Sequence, residues 1–330
     1  MKKRLDWVDQ ARGLSIFLVV YGHNFPAIEP YIYSFHVPLF FFISGMFHPK
    51  SITINTIKRR AKMILIPYFF WAFALYLFWL FIGRKYGVSS QLDLSPADNF
   101  IGIFYSQGGQ NFMDWGIPIW FLTCIFLVFL IYSLLLKIKN KGLFVGALTL
   151  CVLAGMVWPK VAGVHLPWSF DVALVATGIY AVGNHTKNWM IDLEKRIQVA
   201  LMILLFTIHI ITFLLNTLKV DMYRSLYGQE ILFLISGISG SIAYILLLKT
   251  FPILKFLSYL GRHTIVLLAT HTRALTLIKL ILMFIIGTTV FEFSEIEKLI
   301  LTLVQIILVI PVIWLVNKYI PILDGKAEKT

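Results

Sequence analysis

An arginine and a histidine near the start of the chain have the spacing of two side chains on one face of a helix. Arg12 and His23 are eleven residues apart, which is about three helical turns plus 20°. We therefore expect both side chains on one stripe, about 16 Å apart along the helix axis. Asp9 precedes Arg12 by three residues and can pair with it. Imidazole accepts protons near neutral pH and guanidinium binds oxyanions, so this stripe could combine proton transfer with anion binding.

Further polar side chains interrupt apolar stretches elsewhere in the chain. His36 lies just before a second apolar run, while His271 and Arg273 lie within a later one. Ionisable groups cost about 2.5 kcal/mol or more inside a membrane, so they normally face a functional cavity. We therefore expect His271 and Arg273 to face the same cavity as His23.

The composition requires lipid as the solvent for much of the surface and excludes a water-soluble domain. Of the 330 residues, 59% are hydrophobic and only 14% are charged, and the mean hydropathy is +0.82. No linker-like or long polar segment divides the chain. The sequence therefore predicts an all-α, polytopic membrane bundle that forms a single domain over residues 1–330, with no soluble extra domain.

Apolar runs of about 17 to 25 residues predict about ten transmembrane helices. The predicted spans are 12–28, 32–48, 63–82, 115–136, 142–158, 168–185, 197–218, 229–249, 264–287 and 299–320. An even number of spans puts both termini on one side of the membrane. Most of the 29 Lys and Arg residues fall in segments on that side, and short basic loops stay cytoplasmic. We therefore predict cytoplasmic termini and a multi-pass protein of the cell (inner or plasma) membrane.

The net charge of +13 has an explanation that does not involve nucleic acid. A basic inner face attracts the anionic headgroups of membrane lipid. The same face would suit a phosphorylated cytosolic cofactor. We therefore expect membrane lipid as a partner and no nucleic acid.

The first two predicted helices resemble a known family of membrane enzymes. The similar residues are Val8-Asp9-Gln10-Ala11-Arg12-Gly13-Leu14-Ser15-Ile16-Phe17-Leu18-Val19-Val20-Tyr21-Gly22-His23 and Phe35-His36-Val37-Pro38-Leu39-Phe40-Phe41-Phe42-Ile43-Ser44-Gly45. They are similar to the opening of acyltransferase family 3, particularly its branch of fucose 4-O-acetylase-like sugar O-acetylases. Weaker similarities occur at Trp120-Phe121-Leu122, at Ile66-Pro67-Tyr68, and at Leu260-Gly261-Arg262-His263-Thr264 with His271 downstream. The Ser44-Gly45 pair also permits a close helix contact.

The resemblance implies a ten-helix bundle that moves an acetyl group from cytosolic acetyl-CoA to a hydroxyl of a cell-surface or lipid-linked sugar. Many relatives have an Arg-x-x-Arg pair before the third helix that looks like a cofactor contact. This chain instead has Arg59, Arg60 and Lys62 there, and Arg59 with Lys62 is the nearest match. These three residues and Arg12 are therefore the expected contacts of acetyl-CoA.

A cytosolic thioester and an outer hydroxyl must meet within the membrane, and the spacing of Arg12 and His23 suits the two ends of such a passage. His23 would act as the general base, Arg12 would hold a phosphate or carbonyl oxygen of the donor, and Asp9 would orient Arg12. The competing mechanism forms an acyl-imidazole on His23. The expected acceptor contacts are His36, His271 and Trp120.

The longest outer segment, residues 83–114, is the expected source of acceptor specificity. Its candidate residues, with the neighbouring tryptophan, are Asp93, Asp98, Asn99, Tyr105, Gln107, Gln110, Asn111, Asp114 and Trp115. Carboxylates and carboxamides bind sugar hydroxyls, and aromatic rings cover sugar C–H faces. No set of side chains has metal-ligand spacing, so we expect no metal.

Two other kinds of protein compete with an O-acetyltransferase. A carrier or flippase for lipid-linked sugars could line its route with Arg12, His23 and His271. It should, however, have two related halves with helices broken by Gly or Pro, which the sequence lacks. A structural membrane protein would not need a phased polar stripe. The function that the resemblance implies, O-acetylation of envelope polysaccharide with a sugar as acceptor, is therefore preferred to both.

Overall fold

A computed structural model describes residues 5–287 and 291–326, and the described chain is almost entirely helical. The α-helices are α1 (Asp6–Gly22), α2 (Glu29–Tyr33), α3 (His36–Met46), α4 (Ile54–Phe81), α5 (Pro96–Tyr105), α6 (Gln110–Met113), α7 (Trp120–Leu135), α8 (Lys141–Ala162), α9 (Phe170–Asp192), α10 (Lys195–Leu215), α11 (Glu230–Thr250), α12 (Lys255–Gly261), α13 (Thr264–Ile286) and α14 (Glu295–Tyr319). Short 3-10 helices occur at Gly83–Lys85, Gly87–Gln91, Ile117–Ile119, Pro167–Ser169, Met222–Arg224 and Pro321–Asp324. Strands β1 (Val220–Asp221) and β2 (Leu226–Tyr227) form one antiparallel hairpin. The predicted all-α class is confirmed.

Seven helical segments within the described residues are long and apolar enough to cross a membrane. They are Ile54–Lys85, Ile117–Leu135, Lys141–Ala162, Lys195–Leu215, Glu230–Thr250, Thr264–Ile286 and Glu295–Tyr319. The remaining three predicted spans correspond to α1, α3 and α9, which have 17, 11 and 23 residues. The polytopic bundle is thus confirmed, while ten spans and cytoplasmic termini stay predictions.

The central element of the bundle is α1, since α3, α11, α12, α13 and α14 all pack against it. Two glycines allow the closest of these contacts. A Cβ atom on Gly13 would lie 1.8 Å from the carbonyl oxygen of Leu257 in α12, and one on Gly261 would lie 1.8 Å from that of Asp9. Only glycine therefore permits α12 to pack so closely along the first turns of α1.

A second close contact joins α3 to α9. A Cβ atom on Gly45 would lie 2.0 Å from the carbonyl oxygen of Tyr180, and one on Gly183 would lie 2.1 Å from that of Phe42. The close approach predicted for the Ser44-Gly45 pair is therefore confirmed. Since α3 also packs against α1 and α11, its start at His36 is held firmly beside the end of α1.

The chain turns back onto the bundle after α14. The indole Nε1 of Trp71 donates to the carbonyl oxygen of Leu323 at 3.1 Å. Gly325 has a φ of +67°, a left-handed conformation that favours glycine. A Cβ atom on Gly325 would lie 2.7 Å from Ile265 and 3.3 Å from the carbonyl oxygen of Met63. The turn at Gly325 therefore lies between α4, near Met63, and the first turn of α13.

Candidate active site

One cavity of about 670 Å³ follows a single face of α1. The residues of α1 and its C-cap that line it are Asp9, Arg12, Ile16, Val19 and His23. They recur every three or four positions, as residues on one helix face do. The volume lies within the range of small-molecule sites, about 300 to 1,000 Å³. The prediction that Arg12 and His23 share one stripe is confirmed, while their catalytic roles stay predictions.

Cations concentrate at the end of the cavity beside the first turns of α1. This end, which we call the basic end, is lined by Asp9, Arg12, Arg60, Arg262, Asp324 and Lys326. Gly261 packs on Asp9, and Gly325 packs on Met63 one turn beyond Arg60, so segments distant in sequence meet here. Four cations and two carboxylates leave an excess of positive charge that favours an anionic ligand.

The basic stretch before the third predicted span contributes Arg60 to the cavity, whereas Arg59 and Lys62 are exposed and outside its lining. The rotation of about 100° per residue turns these neighbours to different faces of α4. The guanidinium of Arg60 lies 5.3 Å from the ring centroid of Phe129. Its Nε atom is buried without a hydrogen-bond partner, which is costly unless a ligand supplies an acceptor.

The carboxylate of Asp324 organises the side of the basic end formed by the C-terminal turn. Its Oδ2 atom accepts hydrogen bonds from His263 Nδ1 at 2.6 Å and Asn317 Nδ2 at 3.0 Å, and it forms an ion pair with Lys326 Nζ at 2.8 Å. Lys326 is thereby held at the cavity, while Asp324 Oδ1 is buried without a partner. Sequence analysis missed both residues, because periodicity within helices does not predict where a turn after the last helix packs.

Three histidines gather at the opposite end of the cavity, which we call the histidine end. In each, Nδ1 bonds the carbonyl oxygen four residues earlier: His23 to Val19 at 2.7 Å, His36 to Ile32 at 2.7 Å and His271 to Leu267 at 2.8 Å. A carbonyl oxygen only accepts, so Nδ1 is the donor, and a neutral ring keeps its lone pair on Nε2. The local helix geometry thus presets all three rings as proton acceptors.

The structure separates the roles available to these histidines. His23 and His36 line the cavity, as does Trp120. His271 is fully buried and lies outside the lining. Its ring centroid is 4.9 Å from that of His23, with an interplanar angle of 72°. His271 is therefore placed to orient His23, while a direct contact with the acceptor would require it to reach past that ring.

A hairpin between α10 and α11 supplies residues that sequence analysis did not single out. Tyr223 lies in the turn of this hairpin and packs on Trp120, with ring centroids 5.5 Å apart. Burial raises the pKa of the Tyr223 hydroxyl, which therefore stays neutral. Asp221 and Arg224 form an ion pair at 3.5 Å, and all three hairpin residues line the cavity. In the sequence, these residues are recognisable as a short polar and aromatic segment between two apolar helices.

The outer segment contributes fewer ligand contacts than expected. Gln110 and Asp114 line the cavity, but other candidates hold the segment together. The hydrogen bonds involved are Asn99 Nδ2 to the carbonyl oxygen of Asn111 at 2.9 Å, Gln107 Nε2 to that of Tyr223 at 2.7 Å, and Trp115 Nε1 to that of Asn99 at 2.8 Å. Asn99, Gln107 and Trp115 are buried by these contacts. The expectation that these three bind a sugar is therefore wrong, because buried amides must pair within the protein.

The fold and cavity define a polytopic helical membrane protein with an internal polar site. The family model for the acyltransferase domain matches residues 5–318. The chain therefore belongs to acyltransferase family 3 and is a membrane acyltransferase. Neither the curated proteins nor the solved structures include a match. Membership of the fucose 4-O-acetylase-like branch stays a prediction.

Proposed function

We propose that this acyltransferase moves an acetyl group from cytosolic acetyl-CoA to a hydroxyl of an extracytoplasmic or lipid-linked sugar, and so modifies envelope polysaccharide. The observation that supports the proposal is the single cavity that joins the basic end to His23. A donor held on one side of a membrane and an acceptor held on the other need such a passage, because the hydrocarbon region excludes both.

The basic end suits the phosphates of the donor. Arg12, Arg60 and Lys326 line it, and guanidinium groups bind phosphate through two parallel hydrogen bonds. A phosphate oxygen of acetyl-CoA would accept a hydrogen bond from the unpartnered Nε atom of Arg60. An amide in the extended chain that links the phosphates to the thioester, which we call the arm, would donate a hydrogen bond to Asp324 Oδ1. From there, the arm would follow α1 for about 16 Å to His23.

His23 would perform the proton transfer. Its Nε2 atom takes the proton of the acceptor hydroxyl while the hydroxyl oxygen bonds to the acetyl carbon. The carbon–sulfur bond breaks, and the imidazolium returns the proton to the departing thiolate. Val19 and His271 hold the ring in place for this step. If an acetylated His23 could be trapped before acceptor is added, the acyl-imidazole route would replace direct transfer.

The acceptor would bind at the histidine end. Trp120 and Tyr223 offer aromatic faces, which cover the C–H surface of a sugar ring. His36 and Gln110 also line this part of the cavity and can bond its hydroxyls.

The test measures the transfer of radiolabelled acetyl from acetyl-CoA to envelope glycans in membranes that contain the natural protein or a variant. His23→Ala should abolish the label. His185→Ala is the matched control, because His185 is exposed and lies outside the cavity; it should retain the label. Equal label with His23→Ala would remove His23 as the base. An absence of label with the natural protein across acidic and neutral glycans would contradict acetyl transfer and favour the carrier function.

A further inference from the structure

Three consecutive residues of α13 have buried polar atoms with no hydrogen-bond partner in the part of the chain that the structure describes. These atoms are His271 Nε2, Thr272 Oγ1 and Arg273 Nε. An unsatisfied polar atom costs about 1 to 3 kcal/mol in a protein interior, and a helix in lipid has little water to offer. Thr272 and Arg273 line the cavity, while His271 lies against His23. This cluster therefore indicates a ligand at the histidine end.

The guanidinium of Arg273 defines the chemistry of that ligand. Its Nη2 atom donates to the main-chain carbonyl oxygen of Asp114 at 3.2 Å, and the group lies 5.9 Å from the ring centroid of Phe78. The ion pairs found among the described residues do not include Arg273. A cation in such a site is strongly stabilised by an anion.

The nearby acidic side chains already have other partners. Asp114 Oδ2 accepts hydrogen bonds from Trp79 Nε1 and Ser89 Oγ, each at 2.6 Å. Asp221 forms its ion pair with Arg224 on the hairpin. The charge of Asp114 also attracts the Arg273 guanidinium, but Arg273 Nε has no hydrogen-bond partner among the described residues and can therefore bind a group that enters the cavity.

We propose that Arg273 and Thr272 bind an anionic group of the acceptor, so that the enzyme acetylates negatively charged sugars. The proposal rests on the proposed function and narrows its substrate class. Arg273 and Thr272 line the same cavity as His23, so the anionic group and the reacting hydroxyl would belong to one acceptor bound in that cavity. The oxyanion is either the carboxylate of an acidic sugar or the phosphate of a glycosyl phosphate, and both fit a guanidinium and a hydroxyl.

The first experiment measures binding without requiring catalysis. Thermal stability of the purified protein in detergent is compared in glucuronate, glucose 1-phosphate and glucose, because a ligand that binds the folded state raises the melting temperature. At least one anionic sugar should raise it more than glucose does. A response to glucuronate alone identifies a carboxylate acceptor, and a response to glucose 1-phosphate alone identifies a phosphate. Equal shifts with all three sugars would overturn the proposal.

Matched variants locate the effect. Arg273→Met should abolish the extra shift, whereas Lys279→Met should retain it, because Lys279 is an exposed cation of the same helix outside the cavity. If Arg273→Met does not fold, Arg273→Lys keeps the charge but loses the planar fork, and it should weaken binding of the anionic sugar about tenfold. If the anionic sugar raises the melting temperature of the folded Arg273 variant as much as that of the natural protein, the proposal is overturned. The anion would then bind at the basic end.

The second experiment uses acetyl transfer to a polysaccharide that contains uronic acid and to its carboxyl-reduced form. Arg273→Lys should raise the KM for the acidic acceptor about tenfold and leave the KM for acetyl-CoA unchanged. Equal KM values for both acceptors in both proteins would count against a carboxylate ligand and leave acetyl transfer intact. If the natural protein transfers no acetyl group but its melting temperature still rises with the anionic sugar, only the proposed function is contradicted.

Discussion

The two ends of the cavity differ in how their polar groups are held. At the basic end, Arg12, Arg60 and Lys326 come from three segments that meet through tertiary packing. At the histidine end, His23 and His271 are each fixed by a carbonyl oxygen of their own helix. The proposed anion site is thus assembled from distant parts of the chain, whereas the proposed proton acceptor is held by a single helical turn. Substitutions at the two ends should therefore change different kinetic constants.

The largest effect is expected from His23→Ala. Removal of a general base lowers the rate by about 10² to 10⁴, so kcat should fall about 10³-fold while the KM for acetyl-CoA stays within about threefold. Initial rates at varied acetyl-CoA would test this separation. A large rise in the KM for acetyl-CoA would show that His23 also binds the donor. It would contradict the expectation that the two ends control different kinetic constants.

The next effect concerns the basic end. Arg60→Gln removes a hydrogen bond to a charged group, worth about 1.5 to 3 kcal/mol, and should raise the KM for acetyl-CoA about 10- to 100-fold. Its neighbour Arg59 is exposed outside the cavity, so Arg59→Gln should change that constant less than threefold. The opposite ranking in a side-by-side titration would support the Arg59 and Lys62 motif match over the observed cavity.

His271→Phe should lower kcat about tenfold, because it removes the imidazole against His23 and keeps the volume of a ring; tenfold corresponds to about 1.4 kcal/mol. His209→Phe is a matched control, since His209 is also fully buried with an unpartnered Nε2 atom among the described residues but packs against Tyr31 and Phe35 instead of His23. Rates and melting temperatures are measured together. Equal losses of rate in the two variants would assign His271 a purely structural role.

The smallest effect is expected from Trp120→Leu, which removes one aromatic face beside Tyr223. Aromatic contacts contribute about 0.5 to 1.5 kcal/mol, so the KM for the sugar acceptor should rise between about two- and tenfold. The KM for acetyl-CoA should not change. A larger rise in the KM for acetyl-CoA than in the KM for the sugar would assign Trp120 to the donor site.

What the sequence predicted well depends on helical period. The placement of Arg12 and His23 on one face required only the 3.6-residue repeat, and the small residues around Gly45 indicated a close helix contact. Motif comparison was less selective: it gave Arg59, Arg60 and Lys62 as expected donor contacts, and of these three only Arg60 lines the cavity, because rotation about α4 turns its neighbours away.

The remainder of the site depends on tertiary packing that periodicity does not encode. Asp324 and Lys326 reach the basic end through a turn held by Trp71 and by the left-handed Gly325. The hairpin brings Tyr223 to Trp120 across more than 100 residues. Polar residues such as Gln107 look like ligand contacts in sequence but satisfy the backbone of that hairpin.

The position of Lys326 also has a consequence for biosynthesis. Arg12 and Lys326 are about 300 residues apart in the sequence, and chains are made and folded from the N-terminus. The helix that presents His23 enters the membrane early, while the basic end is completed only after residue 326 leaves the ribosome. Under the proposed function, a partly synthesised chain would have its proton acceptor but an incomplete donor site, and would leave acetyl-CoA intact until residue 326 joins the bundle.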